Sequence, residues 1–343
     1  MAANGIDMKT QDTIVENISS FALYGFPESH AASFALIAYA SAYFKVKYLA
    51  AFTCAILNNQ PMGFYMPAVL VKDAQRHGLR VKPIDVQVSD WECTIEHESD
   101  MSLSVRMGLG YAKGLRRHAA EALVEARSRS GPFRSAEDLA LRVPILNRKE
   151  LTLLARIGAL NSLDGIEHRR DALWQVERAG KLEGPLLRQN SEWLREDSGT
   201  LPLRQMSTGE RLVADYAGTG LTVGRHPMHY RRSELRRLGV LSAEELRSCK
   251  DGEFVRTAGC VIARQRPGTA KGFIFLAMED ESGIANVIVT PDLYERERMT
   301  VVRSKFLLAE GLLQNQDGVI HVKAKRLSRL GDGAMELRSH DFH

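Results

Sequence analysis

The sequence predicts a multidomain chain that is mainly α up to about residue 250 and ends in an all-β barrel. Its 343 residues, 44% hydrophobic and 26% charged, have an ordinary globular composition and suffice for two or three hydrophobic cores. Helix-capping signals recur before residue 240, whereas five β-rich runs separated by turns follow residue 252.

The composition argues against several classes of protein. No apolar run reaches the roughly 18 residues that cross a bilayer, and the N-terminus lacks the basic and apolar regions of a secretory signal. The four cysteines lie far apart without a CxxC pair, which argues against a zinc site or a disulfide framework. This cysteine usage favours a reducing compartment, so we expect a cytoplasmic location.

Charge is unevenly distributed along the chain. The first 100 residues contain seven Lys and Arg against eleven Asp and Glu, whereas the remainder contains 39 against 31. Most of the later basic residues are Arg, whose planar guanidinium suits contact with phosphate. This favours a polyanion partner, although an Arg-rich solvated surface explains the charge equally well.

Helical segments dominate the first 180 residues, apart from an extended segment over 79–88 and a short strand over 103–106. One helix is predicted over 12–23 and a longer one over 29–57, whose alanines recur at helical spacing on one face. A helix over 65–77 ends at Gly78, because glycine readily adopts the left-handed conformation of a helix end. Further helices are predicted at the capping pairs Ser135 with Asp138 and Asn147 with Glu150, and over 168–179, 208–216 and 230–238.

The last part of the chain is β-rich. Five runs with a helix over 292–299 before the fourth have the element order of an OB-fold, a small Greek-key barrel that binds single strands. The runs are 253–264, 272–279, 284–290, 305–313 and 319–326.

The segment 24–31 is a candidate anion site. Ser29 begins a helix whose first amides and positive dipole end face the preceding turn, and His30 adds a side-chain donor. A capped helix with aromatic residues in the core explains the same pattern. Glu28 favours that alternative, because its carboxylate would repel a phosphate.

A glycine-rich stretch over 108–116 precedes a helix over 117–127. Its backbone amides can approach a phosphodiester closely, which is typical of a helix-hairpin-helix motif that holds duplex DNA without reading its sequence. A plain helical hairpin is the alternative, because Arg116 stands where the motif has a second glycine. The candidate DNA-binding residues are Gly108, Gly110, Lys113, Gly114 and Arg117.

The predicted barrel contains a basic loop followed by two aromatic residues. Arg264, Arg266 and Lys271 bracket the loop, and Phe273 and Phe275 alternate on the next strand. A basic rim beside aromatic faces is how such barrels hold unpaired bases. Both phenylalanines can equally belong to the core, because residues two apart on a strand share one side.

Enzymatic constellations are missing from the sequence. Two-metal phosphoryl transfer needs carboxylates that hold two cations about 4 Å apart, and no Asp-x-Asp occurs on a predicted strand. The acidic run Glu279-Asp280-Glu281 is interpreted as a solvated hairpin. His226 and His229 have metal-like spacing but no third ligand nearby, which favours a structural role.

Taken in order, several segments resemble the C-terminal portion of bacterial C-family DNA polymerases, which include the DNA polymerase III alpha subunit. They are YGFPESHAASFALIAYASAYFK, GLGYAKGL, LNRKELTLLARIGAL, LTVGRHPM, RQRPGTAKGFIFLAMEDESGIANVIVTPDLYER and LLQNQDG. The pair Pro27-Glu28, the RQRPGTAKGF loop and the ending SHDFH resemble the error-prone branch of this family.

The resemblance implies both domains and binding residues. It implies that Tyr24, Gly25, Phe26, Ser29 and His30 lie near the triphosphate of an incoming nucleotide. The implied domains are a distal fingers portion (1–105), tandem helix-hairpin-helix elements (106–183), a linker and helical connector (184–250), an OB-fold (251–330) and a C-terminal tail (331–343).

The resemblance also implies an activity. Enzymes of this family add deoxynucleotides to a primer with Mg²⁺, and the error-prone branch copies past DNA damage during induced mutagenesis. This translesion synthesis is associated with a Y-family-like protein and a RecA-like accessory protein. The palm carboxylates that hold the metals have no counterpart in this sequence, so the chain is expected to bind no metal and to be inactive alone.

A stand-alone, non-catalytic nucleic-acid-binding protein is the alternative. OB-folds with an SGxxxVxV-like strand also occur in the anticodon-binding modules of tRNA synthetases. The fingers-like segment 24–47 favours the polymerase, because a tRNA-binding module has no use for it.

Overall fold

The computed structural model describes residues 5–23, 28–63, 65–179, 204–331 and 340–342. The chain divides into two compact units, Met1–Phe52 and Thr53–His343. The domain limits expected after residues 105, 183, 250 and 330 do not coincide with this division, and they stay predictions.

The first unit contains α1 (Met8–Leu23), α2 (Glu28–Lys47) and the start of α3 (Leu49–Asn58). The single helix predicted over 29–57 is therefore wrong, because it is interrupted at Tyr48. Most side chains of α2 are exposed, including those of Phe34 and Leu36. Among the helices in the described ranges, none combines the length and apolarity needed to cross a bilayer.

A small mixed sheet follows α4 (Pro67–Arg76) in the second unit. Its central strand β3 (Leu103–Arg106) is parallel to β1 (Arg80–Lys82) and antiparallel to β2 (Thr94–His97). Glu96 on β2 accepts hydrogen bonds from Lys82 at 2.8 Å and from Arg106 at 2.7 Å, so one carboxylate links all three strands. The sequence predicts two parts of this sheet, the extended segment over 79–88 and the strand over 103–106, whereas it does not predict β2.

Short capped helices follow the sheet. The predicted caps are confirmed: Ser135 accepts a hydrogen bond from the Asp138 amide, and Asn147 and Glu150 form a reciprocal capping box. The segment after β1 is tied to these helices, because the Val86 amide donates to the Ala159 carbonyl at 3.0 Å. The helices are α5 (Arg117–Ser130), α6 (Ala136–Arg142), α7 (Arg148–Ile157), α8 (Arg169–Ala179), α9 (Thr208–Thr219) and α10 (Arg232–Arg237).

A closed five-stranded barrel with OB-fold topology ends the chain, as the sequence predicts. Around the barrel the strands follow the order β4, β5, β6, β8, β7 and back to β4, with β6 and β8 parallel. The helix α11 (Pro291–Arg303) connects β6 to β7, and β9 (His340–Phe342) pairs in parallel with β4. The barrel strands are β4 (Phe254–Gln265), β5 (Ile274–Glu279), β6 (Ile284–Val289), β7 (Phe306–Gln316) and β8 (Val319–Arg329).

The acidic run between β5 and β6 is buried, so its interpretation as a solvated hairpin is wrong. Glu279 and Asp280 are only 3% and 1% exposed. Glu279 pairs with Arg76 of α4 at 2.9 Å, and Asp280 pairs with Arg232 of α10 at 2.9 Å. These partners are distant in the sequence, and they replace the hydration that the carboxylates lose.

Asp280 also organises its own turn. One carboxylate oxygen accepts from the amides of Ser282 and Gly283 and from the Ser282 hydroxyl, and the other accepts from the Ala243 amide at 2.8 Å. Nδ1 of the nearby His226 accepts a hydrogen bond from the Met228 amide, in agreement with a structural role for this histidine. The turn therefore joins α4, α10 and the barrel.

Replacing Asp280 with alanine is expected to lower the free energy of unfolding by about 3 kcal/mol, because it leaves several buried donors without an acceptor. Asp164→Ala is the control, since Asp164 is exposed and its side chain has no hydrogen bond to another described residue. We expect the control to change stability by less than about 0.5 kcal/mol. Urea unfolding monitored by circular dichroism measures both, and equal losses would contradict the assignment.

Candidate nucleic-acid interface

The two predicted aromatic residues lie at the start of β5, with Phe275 on the strand and Phe273 directly before it. Ile274, Leu276 and Met278 point into the barrel core and are at most 4% exposed. Phe275 alternates with them on the other side of the strand, and both Phe275 and Phe273 are partly exposed. The alternative that both phenylalanines are core residues is therefore excluded, and an aromatic surface is available there.

Neighbouring strands extend this surface. Phe275 lies opposite Ile288 on β6, and Ile288 lies opposite Lys323 on β8. Asn286, two residues before Ile288, lies opposite His321. We call Phe275, Ile288, Asn286, His321 and Lys323 the outer face. Only Phe275 was singled out from the sequence, although the alternation in IANVIV and VIHVK carries the signal for the others.

The basic loop beside the outer face differs from the prediction at Arg264. This residue is 9% exposed, and its guanidinium donates to the carbonyls of Val301 (2.7 Å) and Ser304 at the end of α11. Because this guanidinium bonds to backbone carbonyls inside the protein, the prediction that Arg264 belongs to a basic rim is wrong. Arg266 and Lys271 are exposed, with the Arg266 guanidinium 5.0 Å from the centre of the Tyr294 ring.

The first two glycines of the predicted hairpin serve packing instead of phosphate contact. A Cβ atom on Gly108 would lie 2.4 Å from the Glu92 carbonyl carbon, so only glycine fits. The Gly110 amide donates to the Trp91 carbonyl at 2.9 Å, and Lys113 donates to the Tyr216 carbonyl near the end of α9. The interpretation of Gly108 and Gly110 as phosphate ligands is corrected accordingly, because their amides bond within the protein, whereas the exposed Lys113 stays a predicted DNA-binding residue.

Gly114 and Arg117 lie at the solvent side of this turn. Gly114 has a φ of +98°, which favours glycine, and a Cβ there would meet no atom within 4 Å. The turn leads directly into α5, whose N-cap residue, Arg116, makes no side-chain capping bond. Arg117 is exposed, and its guanidinium lies 5.8 Å from the centre of the Trp91 ring.

Arg116, which stands in place of a hairpin glycine, joins this turn to the next helix pair. Its amide and its side chain both donate to Glu150, with N–O distances of 2.8–3.0 Å. The Glu150 side chain is 2% exposed and also accepts from the Asn147 amide at 2.9 Å. The Arg116 guanidinium and these amides hold the pKa of Glu150 at about 2, well below its ordinary value.

The predicted nucleotide site is described only in part. Tyr24, Gly25 and Phe26 lie outside the described residues, and Ser29 is placed only as a backbone position in α2. His30 is exposed, with its ring centre 4.5 Å from that of Phe34. Within the described part of the chain, no three His, Cys, Asp or Glu side chains form a group that could hold a metal ion.

Comparison with known proteins identifies relatives over the whole chain. A family model described as a helix-hairpin-helix motif matches residues 78–172, which confirms that prediction. Error-prone DNA polymerases of Alkalilimnicola ehrlichii and Azoarcus sp. are each 45% identical over 100% of this chain, and that of Pseudomonas syringae pv. tomato is 43% identical over 100%. The resemblance to error-prone polymerases is therefore confirmed.

The chain spans about a third of the length of these curated relatives, covering 33%, 32% and 33% of them respectively. Among solved structures, asparaginyl-tRNA synthetase from Pyrococcus horikoshii is similar over 26% of this chain and 22% of its own, with 24% identity. Its TM-score of 0.22 is too low to carry an argument about function.

We expect Glu150→Gln to weaken the folded state by about 2–3 kcal/mol at pH 7, because the neutral amide loses the charge-assisted bonds to Arg116. The pKa of Glu150 is about 2 when folded against an ordinary value of 4.5. The stabilisation is thus complete above pH 4.5 and is lost as the pH falls towards 2. The stability difference between the two proteins should shrink over this range.

Urea midpoints of the native chain and the variant at a series of pH values measure this difference. Glu121→Gln is the matched control, because Glu121 pairs with Arg117 on an exposed helix face. A Glu150→Gln difference that stays constant from pH 6 to pH 2 would contradict the role given to this carboxylate.

Proposed function

We propose that this chain is the C-terminal, DNA-holding part of an error-prone DNA polymerase that acts in damage-induced mutagenesis and translesion synthesis. The observation that carries the proposal is the identity of 40–45% to error-prone polymerases over the full length of the chain. The helix-hairpin-helix region and the OB-fold barrel supply surfaces for duplex and single-stranded DNA respectively.

Duplex binding is proposed at the turn before α5. Gly114 brings the backbone to the N-terminal end of that helix, where amides and the positive dipole end attract phosphate. Arg117 adds an exposed guanidinium on the same turn. Contacts of this kind hold the DNA backbone without reading its sequence.

Single-strand binding is proposed at the outer face of the barrel. Phe275 offers a ring on which a base can stack, and Lys323 stands across Ile288 from it to contact phosphate. Arg266 and Lys271 in the adjoining loop add positive charge near Phe273. The template strand ahead of the primer is the single strand that a polymerase must hold.

The remaining parts of the proposal concern the longer enzyme. Tyr24, Gly25, Phe26, Ser29 and His30 are proposed to lie near the triphosphate of the incoming deoxynucleotide. Mg²⁺ is proposed to be held by carboxylates of the longer enzyme that have no counterpart in this chain. A Y-family-like protein and a RecA-like protein are proposed as accessory partners, and the cytoplasm as the location.

A stand-alone nucleic-acid-binding protein is not favoured. The polymerase relatives match the helical part and the barrel together, over the whole chain. A stand-alone single-strand-binding barrel would explain the similarity of the barrel residues alone, and not the similarity of the helical part that precedes them.

The duplex surface can be tested with two glycine variants. Gly114→Ala and Gly131→Ala each force alanine into a positive-φ conformation in open space, which costs about 1–3 kcal/mol. Gly131 lies at the opposite end of α5, so only Gly114→Ala should weaken duplex binding several-fold. Fluorescence anisotropy with a labelled duplex measures the effect, and equal affinities for the two variants would contradict the assignment.

The single-strand surface can be tested with two phenylalanine variants. Phe275→Ala should weaken binding of an oligothymidylate by about fivefold or more, because one base loses its stacking partner. Phe254→Ala is the matched control, since Phe254 is 57% exposed at the start of β4, outside the outer face. Unchanged affinity in Phe275→Ala at low salt would remove β5 from the interface.

The isolated chain should bind primer–template DNA with an affinity that falls as salt rises, and it should extend no primer. A primer-extension assay with Mg²⁺ and all four deoxynucleotides tests this expectation, with a complete error-prone polymerase as the positive control. Extension by the highly purified chain would show that it contains its own catalytic centre.

A further inference from the structure

A cleft of about 630 Å³ opens on the barrel beside the outer face. One wall is the segment 243–247 that precedes β4, and the other walls are the start of β6 and the turn between β7 and β8. Its apolar lining includes Leu246, Ile284 and Val319. The cleft is large enough for a nucleobase together with its sugar.

Three polar side chains converge on this apolar lining. Arg247, Asn286 and Asn315 line the cleft, and none of their side chains has a hydrogen bond or ion pair to another residue of the described ranges. A carboxamide offers both a donor and an acceptor, which suits the edge of a nucleobase, and a guanidinium suits a phosphate. An apolar cleft with a few convergent polar groups is the usual form of a small-ligand site.

The cleft continues the path of a strand across the outer face. Asn286 belongs to both surfaces, and it lies two residues, or about 7 Å, along β6 from Ile288. A base stacked on Phe275 opposite Ile288 therefore leaves the next nucleotide within reach of the cleft. The positive charge of Arg247 complements the phosphate that joins the two.

We propose that this cleft binds one unstacked nucleobase of the single-stranded DNA that crosses the outer face. Asn286 and Asn315 hydrogen-bond the edge of the base, and Arg247 contacts the adjacent phosphate. The inference rests on the proposed single-strand binding and adds to it a pocket that takes a base out of the stack.

The test uses the full chain and an oligothymidylate that carries one 2-aminopurine, a base whose fluorescence is quenched by stacking. Among the described residues, those that line the cleft include no aromatic side chain, so entry of the base should raise the emission. Val319→Trp, at a residue 52% exposed in the cleft, should fill it, abolish the rise and weaken binding about fivefold. Val302→Trp, at a residue 47% exposed on α11, is the matched control and should leave both readouts unchanged.

A second pair of variants tests the polar groups. Asn286→Ala combined with Asn315→Ala should weaken binding about fivefold, because the base edge loses its partners. Arg247→Gln should reduce the slope of log affinity against log salt by about 0.7, as expected for one lost phosphate contact to a single strand. Arg237→Gln removes the same charge at an exposed position outside the cleft and should leave the slope unchanged.

The outcomes separate this inference from the proposed function. Oligonucleotide binding with an emission rise that survives Val319→Trp overturns the cleft and leaves the outer face standing. Binding of free deoxyadenosine monophosphate in the cleft as tightly as the oligonucleotide overturns the assignment to a DNA strand. Absence of any oligonucleotide binding by anisotropy overturns the proposed single-strand function itself, and the inference with it.

Discussion

Burial of the carboxylates at the turn between β5 and β6 is the constraint on which the arrangement of the second unit depends. A buried carboxylate is tolerated only with partners that replace its hydration. Asp280 pairs with Arg232 and accepts hydrogen bonds from its own turn and from the Ala243 amide. Glu279 pairs with Arg76. The same bonds that satisfy the acids therefore hold α4, α10 and the segment before β4 against the barrel.

This constraint reaches the proposed binding surface. The Ala243 amide donates to Asp280, and the Glu244 amide donates to the Ser282 hydroxyl at 3.1 Å. The segment 243–247 is thereby fixed at both of these positions, and it forms one wall of the cleft. A surface that holds an extended strand gains affinity when its walls are ordered before binding, because less conformational entropy is then lost.

The barrel could be predicted from the sequence, whereas several site residues could not. Alternating apolar residues and turn sequences are local signals, and they place all five strands of the barrel. The burial of Asp280 and Arg264 depends on partners 48 and 37 residues away, which no local pattern reveals. From the local sequence, an acidic turn and a basic loop are both expected to be exposed to solvent. Asp280 and Arg264 are buried instead, because each has partners that are distant in the sequence.

The same lesson applies to the glycine-rich hairpin. Gly108 is required by the close approach of the segment 91–93, and this contact is invisible in the sequence. The arginine at position 116 departs from the glycine pattern, yet it joins two helix starts through Glu150. The turn before α5 is therefore fixed by an ion pair, and Gly114 and Arg117 are left at its solvent side.

The two proposed DNA surfaces share one physical property, which is indifference to base sequence. Phosphate contacts at a helix start and stacking on an aromatic ring are available to every nucleotide. The carboxamides of Asn286 and Asn315 each present a donor and an acceptor, so the cleft also accommodates the edges of different bases. A polymerase must hold whatever template it copies, and a strand with damaged bases adds to that demand. Backbone charge, stacking and carboxamide groups satisfy this demand, because none of these interactions requires one particular base.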